Sequence, residues 1–153
     1  MNEPEIVYVS YIATTPETLW NALTETAFTK QYWFGRRVES DWRTGSPIRF
    51  WYDQGHGLDI TGEILESSPP RRLSYTWRLE YSPEFRREGF SRVTFELAPR
   101  GRLVRLTVTH DQLGTNDQIN EGLRKGWPAI VSSLKSLLET GEPLAISPAE
   151  CQA

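Results

Sequence analysis

Between Asn116 and Thr140, apolar residues fall at Ile119, Leu123, Trp127, Ile130, Leu134 and Leu137, in steps of four, four, three, four and three. That spacing keeps one stripe on a single helical face, and Val131 and Leu138 widen it. Arg124, Lys125, Ser132, Lys135, Ser136 and Glu139 take the opposite face, which suits water. Asn116 fits an N-cap and Gly141 the residue just past the helix, with Pro143 beyond, where a helix cannot resume. Pro128 lacks the N–H that would bond the Arg124 carbonyl, a loss of roughly 3 kcal/mol unless compensated. A kink just before it is therefore expected, with Gly122 and Gly126 admitting close approach of another backbone.

Upstream the period changes. Glu5 to Thr14 is β-rich, with Ile6, Tyr8, Ser10 and Ile12 on one side. Thr15-Pro16-Glu17 then starts a helix: a capping threonine, a proline at the first position and an acid in the first turn. Leu19, Trp20 and Leu23 make that helix amphipathic, and a second short helix over Thr26 to Tyr32 delivers Trp33 and Phe34. Six strands follow: Arg37–Trp42, Ile48–Asp53, Leu58–Glu66, Arg72–Glu80, Phe90–Leu97 and Leu103–His110. Their separators carry turn residues, among them Thr44-Gly45-Ser46-Pro47, Ser82-Pro83-Glu84 and Pro99-Arg100-Gly101. No strand is followed by a helix until the last, so the sheet is an antiparallel meander rather than a βαβ array.

Alternation assigns the faces. Leu73, Tyr75, Trp77 and Leu79 share one side of their strand, as do Val93, Phe95 and Leu97 on the next and Val104, Leu106, Val108 and His110 on the last. These sets form a surface on which the long helix can lie, and a twisted sheet wrapped round one helix often leaves a cavity. The expected architecture is α+β, one domain over residues 1–141 and a flexible tail over 142–153. In the second of the six strands Ile48, Phe50 and Tyr52 inward would turn Arg49 and Trp51 outward, with Trp42 beside them as a protein-contact anchor.

Composition narrows the function. Six Trp, six Tyr and six Phe in 153 residues are heavy for this size, and such rings tile ligand cavities as well as cores. A net charge of −3 gives no electrostatic case for nucleic acid, and the paired Arg36-Arg37, Arg71-Arg72 and Arg86-Arg87 read as solvated edges. No apolar run has the length of a membrane span and no signal segment is visible, so a cytoplasmic location is expected. The single cysteine, Cys151, excludes a disulfide framework.

Several segments stand out together: Thr15-Pro16-x-x-x-Trp20-x-Ala22-Leu23-Thr24, Trp33-Phe34, and Pro69-Pro70-Arg71-Arg72-Leu73-x-Tyr75-x-Trp77. To these add Val93-Thr94-Phe95-x-Leu97, Leu106-Thr107-Val108-Thr109-His110, Gly126-Trp127-Pro128 and Leu134-Lys135-x-Leu137-Leu138. With them the chain, over about residues 6 to 141, resembles the C-terminal domain of the activator of heat-shock protein 90 ATPase, within the START-like or SRPBCC superfamily. The resemblance implies a helix-grip fold: a curved antiparallel sheet around the long C-terminal helix, two short helices closing one end, and a hydrophobic cavity. Because these are packing, turn and cap residues, they speak for fold more than for function. The eukaryotic chaperone activators carry a further N-terminal domain not seen in this chain, which ranks chaperone regulation second to ligand binding.

The candidate ligand-binding residues are Trp33, Phe50, Tyr75, Trp77, His110, Leu123 and Trp127, for a lipid-like or aromatic small molecule. No cofactor and no metal are expected. His56 reads as a solvated loop histidine, with Asp53 and Asp59 as the weaker metal-site alternative, and no P-loop, dinucleotide fingerprint or nucleophile elbow is present. His110 has two readings, a buried imidazole bonded to backbone, or a polar handle for an apolar ligand. A third class, a cyclase- or hydrolase-like enzyme using His110, would need Glu63 or Asp111 within its reach.

Overall fold

The computed structural model describes residues 4–55 and 57–146. Strand β1 (Ile6–Ile12) is followed by helices α1 (Pro16–Thr24) and α2 (Thr26–Tyr32). Then come β2 (Arg37–Ser40), β3 (Pro47–Tyr52), β4 (Gly57–Ser68), β5 (Arg72–Leu79), a short helix α3 (Pro83–Arg86), β6 (Ser91–Arg100), β7 (Leu103–Asp111) and the long helix α4 (Asp117–Thr140). The seven strands form one antiparallel sheet in the order β1-β7-β6-β5-β4-β3-β2. Its curved face grips α4, which is the helix-grip architecture that the resemblance implies.

Local chemistry sets the ends of the helices. Thr15 caps α1 by accepting the Thr18 N–H at 3.1 Å, with Pro16 at the first helical position. Asn116 caps α4 through the Ile119 N–H at 3.0 Å, and Gly141 closes it in the left-handed region at φ 88°. Thr26 bridges both backbone groups of Val38 and Thr29 bonds the Arg36 carbonyl, so α2 is fastened to β2. That places Trp33, the residue ending α2, in the core.

Register aligns the inward faces. Ile6 pairs with His110, His110 with Val93 and Val93 with Tyr75, so one row crosses β1, β7, β6 and β5 beneath the helix. All four are buried. Gly62 lets β4 press on β5: a Cβ there would lie 1.8 Å from the Thr76 carbonyl oxygen.

Four expectations change. Ser82-Pro83-Glu84 is not a bare turn but opens α3, with Ser82 as its cap residue and Pro83 at the start, the position a proline tolerates. Strand β6 runs on through Pro99 to Arg100, which shortens the turn to Gly101 and Arg102. Trp42 does not join Trp51 outside: it packs against the core, its backbone at a positive φ of 58°. No backbone approaches Gly122 or Gly126: a Cβ at either would meet no heavy atom within 4 Å. The chain stays helical through Pro128. Past α4, the Glu142 carbonyl accepts the Ser136 hydroxyl at 2.7 Å and the Leu144 N–H reaches Ser133 Oγ at 3.2 Å. His56 and Cys151 lie outside the described residues.

Candidate functional site

The aromatic residues gather where β3, β5 and α2 meet α4. Trp33 stacks on Trp77 with ring centroids 6.0 Å apart, and Trp127 of α4 packs edge-on to Trp33 at 5.6 Å and lies 5.7 Å from Trp77. Behind this trio, Phe50 stands 4.8 Å from Trp33 and 6.1 Å from Tyr75. Burial raises the ionisation of the Tyr75 phenol well above its ordinary range, which keeps it neutral.

In front of the trio the packing opens into a partly enclosed cavity of about 370 Å³. Trp33, Trp77 and Trp127 form its inner wall, Ile119, Gly122, Leu123, Gly126 and Ile130 of α4 its second wall, and Tyr81 and Phe85 of the α3 segment part of its rim. Four of the seven candidate ligand-binding residues, Trp33, Trp77, Leu123 and Trp127, therefore line one space. Phe50, Tyr75 and His110 stand behind that lining.

His110 is fully buried, and both ring nitrogens are engaged by side chains rather than by backbone. Trp127 Nε1 lies 3.1 Å from Nδ1, and Ser91 Oγ lies 2.6 Å from Nε2. An indole N–H only donates, so Nδ1 accepts and Nε2 carries the proton in the neutral ring. Nε2 then donates to Ser91, whose hydroxyl donates onward to the Trp77 carbonyl at 3.3 Å. Burial pushes the imidazole pKa from 6.5 down to about 3, against a smaller opposing pull from the Asp111 charge.

The Ser91–His110 pair is wired against general-base chemistry. A base that takes a proton at Nε2 needs an acceptor behind Nδ1 to stabilise the imidazolium, whereas Nδ1 here faces a donor. Neither proposed acid partner helps. Glu63 is exposed, and Asp111 is held on the other face of β7 by two bonds from Arg92, at 2.9 and 2.6 Å, which lower its carboxyl below the usual range.

The polar end of the cavity comes from residues whose local sequence points elsewhere. Arg36, half of a pair read as a solvated edge, instead turns in: its Nε lies 2.7 Å from Asp59 Oδ2, with side chains 12% and 1% exposed. Its guanidinium also sits 4.8 Å over the Tyr52 ring. Only Arg37 behaves as an edge residue, clamping Asp53 at 2.6 and 3.1 Å. Both carboxylates considered for a metal site with His56 are thus committed to arginines. Among the described residues no cluster of three or more metal-ligating side chains occurs. Arg36 could have been suspected from its place straight after Gly35, where β2 begins next to the Trp33 anchor. Nothing local in the sequence marks Asp59 as the buried partner of an arginine, and its neighbour Leu58 is less buried than it is.

Protein MLL2253 from Mesorhizobium loti superposes with a TM-score of 0.74 at 28% identity, over 89% of this chain and 97% of that one. A solution structure of the Aha1 dimer from Colwellia psychrerythraea gives 0.74 at 19% identity, over 90% and 98%. An HSP90 activator from Plasmodium falciparum gives 0.64 at 23%, over 80% and 86%. The last two speak for the fold alone. No curated protein matches the chain. The family described as Activator of Hsp90 ATPase homolog 1-like protein matches residues 13–139, the span that holds all seven candidate residues and the cavity, and the chain belongs to that family.

Proposed function

We propose that the protein binds a small hydrophobic or amphipathic molecule in the cavity between the sheet and α4. The observation that carries this reading is the pair of glycines on the cavity wall. Gly122 and Gly126 lie in the interior of α4, where each costs about 1 kcal/mol relative to alanine. Neither is needed for packing, since an added Cβ would meet nothing within 4 Å. Two glycines one turn apart that face open space keep a volume empty at the expense of helix stability. Stability alone would favour filling it. An engineered apolar cavity of about 150 Å³ holds benzene, so about 370 Å³ has room for roughly fifteen non-hydrogen atoms. Native mass spectrometry of the purified protein tests this: a retained small molecule supports the reading. An unliganded protein that also shows no thermal shift with a broad panel of apolar probes overturns it.

A second reading, regulation of an Hsp90-type chaperone ATPase, is supported by the family. Exposed Val7, Val9 and Tyr11 on the outer face of the edge strand β1 give it a surface. Saturable stimulation of a purified Hsp90 ATPase by this chain alone would put this reading first. The cavity, a feature that contact through an outer face does not require, favours the ligand reading.

A further inference from the structure

Among the described residues Arg36 is the one cation that lines the cavity, and its guanidinium is only half engaged. Asp59 holds its Nε at 2.7 Å, and the Tyr52 ring covers one face of the guanidinium plane at 4.8 Å. Neither contact takes the two terminal nitrogens. Among the described residues Nη1 and Nη2 have no hydrogen-bond partner, and they are not among the buried polar atoms left without one, so they keep accessible surface. Burial raises the ionisation of the Tyr81 phenol on the cavity rim, and the charges of Asp59 and Arg36 also act on it, which groups all three at that end. Arg72 shows the same arrangement completed: Glu66 sits on its Nε at 3.0 Å and Glu96 on its Nη1 at 3.1 Å. A guanidinium presents its donors as a fork, so a carboxylate on one edge leaves a second seat on the other.

We infer that the ligand is an amphipathic carboxylic acid, its carboxylate on Nη1 and Nη2 of Arg36 and its apolar body along Trp33, Trp77 and Leu123. The inference deepens the ligand reading above and rests on it. A ligand oxygen on the terminal nitrogens touches the cation, whereas Asp59 stands off on the Nε edge, so attraction exceeds repulsion. The position near the rim leaves the head group partly in water, which limits the cost of taking a charge out of solvent. An ammonium head meets the cation first, and Asp59, 1% exposed, lies out of its reach. An ester or an alcohol accepts a bond from Arg36 but brings no charge to it. A chain of about ten carbons fits the cavity volume, and the glycine gap gives it room.

The test is a matched series on the wild-type protein: decanoate, methyl decanoate, decanol and decylamine, each titrated below its solubility or micelle limit at neutral pH and read by tryptophan emission and thermal shift. Decanoate should bind about tenfold tighter than the ester and the alcohol, the scale of one charge-assisted hydrogen bond, and decylamine should bind most weakly. The double variant Arg36→Met with Asp59→Asn removes the ion pair without stranding a charge. It should bind methyl decanoate as the wild type does and lose the preference for decanoate. Equal affinity for decanoate and its methyl ester in the wild type overturns the head-group inference and leaves the cavity reading standing, as does a preference that survives in the double variant. The wild-type ranking decides even if that variant does not fold. Failure of all four to bind overturns both.

Discussion

Trp127 of α4 donates its indole N–H to Nδ1 of His110 on β7 at 3.1 Å, both side chains buried, and this bond joins the helix to the sheet at the back of the cavity. The donor fixes the imidazole tautomer, and the tautomer fixes the bonds to Ser91 and on to the Trp77 carbonyl. The wall of the cavity is thereby set by a chain of directed bonds as well as by packing.

Breaking that chain at either end should cost stability. Trp127→Phe keeps most of the ring contact but strands Nδ1 of His110, a loss of about 2 kcal/mol on the scale of one unsatisfied buried group plus some lost packing. In a double-mutant cycle with His110→Gln, denaturant unfolding should give a non-additive coupling of about 1 kcal/mol. Strictly additive losses would mean that the two rings merely touch.

Acid should weaken the fold earlier than carboxylates alone would make it. The folded pKa of His110, about 3, lies below its ordinary 6.5. The unfolded chain therefore binds the extra proton first, and stability present above about pH 6.5 is lost as pH falls towards 3. Between pH 7.5 and 5 this amounts to about 2 kcal/mol. The depressed carboxyls of Glu80, Asp111 and Glu139 add losses of the same sign only at lower pH. Urea unfolding at several pH values should show a slope in that window that His110→Gln flattens, and an unchanged slope in the variant would assign the effect elsewhere.

Filling the glycine gap should separate stability from binding. Gly122→Ala and Gly126→Ala should each raise the unliganded protein's stability by about 0.5–1 kcal/mol, since both sit mid-helix with free space at Cβ. Both should weaken apolar ligands. Destabilisation by either alanine, seen in denaturant midpoints, would show that the wall is tighter than its contacts indicate.

Periodicity made most of the fold legible. The caps at Thr15, Asn116 and Gly141 follow from single residues whose chemistry admits few alternatives, and the inward set from Leu73 to Trp77 and the grip of α4 follow from alternation and from the helical stripe. The aromatic wall was legible too: Trp77 and Trp127 sit at inward positions of their own elements, and Trp33 follows the short helix that delivers it. The polar end of the cavity was not. Arg36 beside Arg37 looks like a surface pair, and Asp59 stands out only as a weak metal-site partner for His56. Only the pairing of β2, β3 and β4 brings residues 23 apart in sequence into one ion pair. The glycines of α4 mark missing side chains, but the space they leave is open rather than occupied by backbone. Local pattern cannot distinguish those two outcomes.

The most direct measurement compares wild type with Gly122→Leu, a side chain built into the cavity from its α4 wall, by titrating 1-decanol and following tryptophan emission. Trp33, Trp77 and Trp127 all line the space, so occupancy must perturb them. A saturable change in wild type that is lost in a Gly122→Leu protein of equal or higher melting temperature is the predicted result. A response of the same size and midpoint in both proteins would place binding outside the cavity and contradict the proposal.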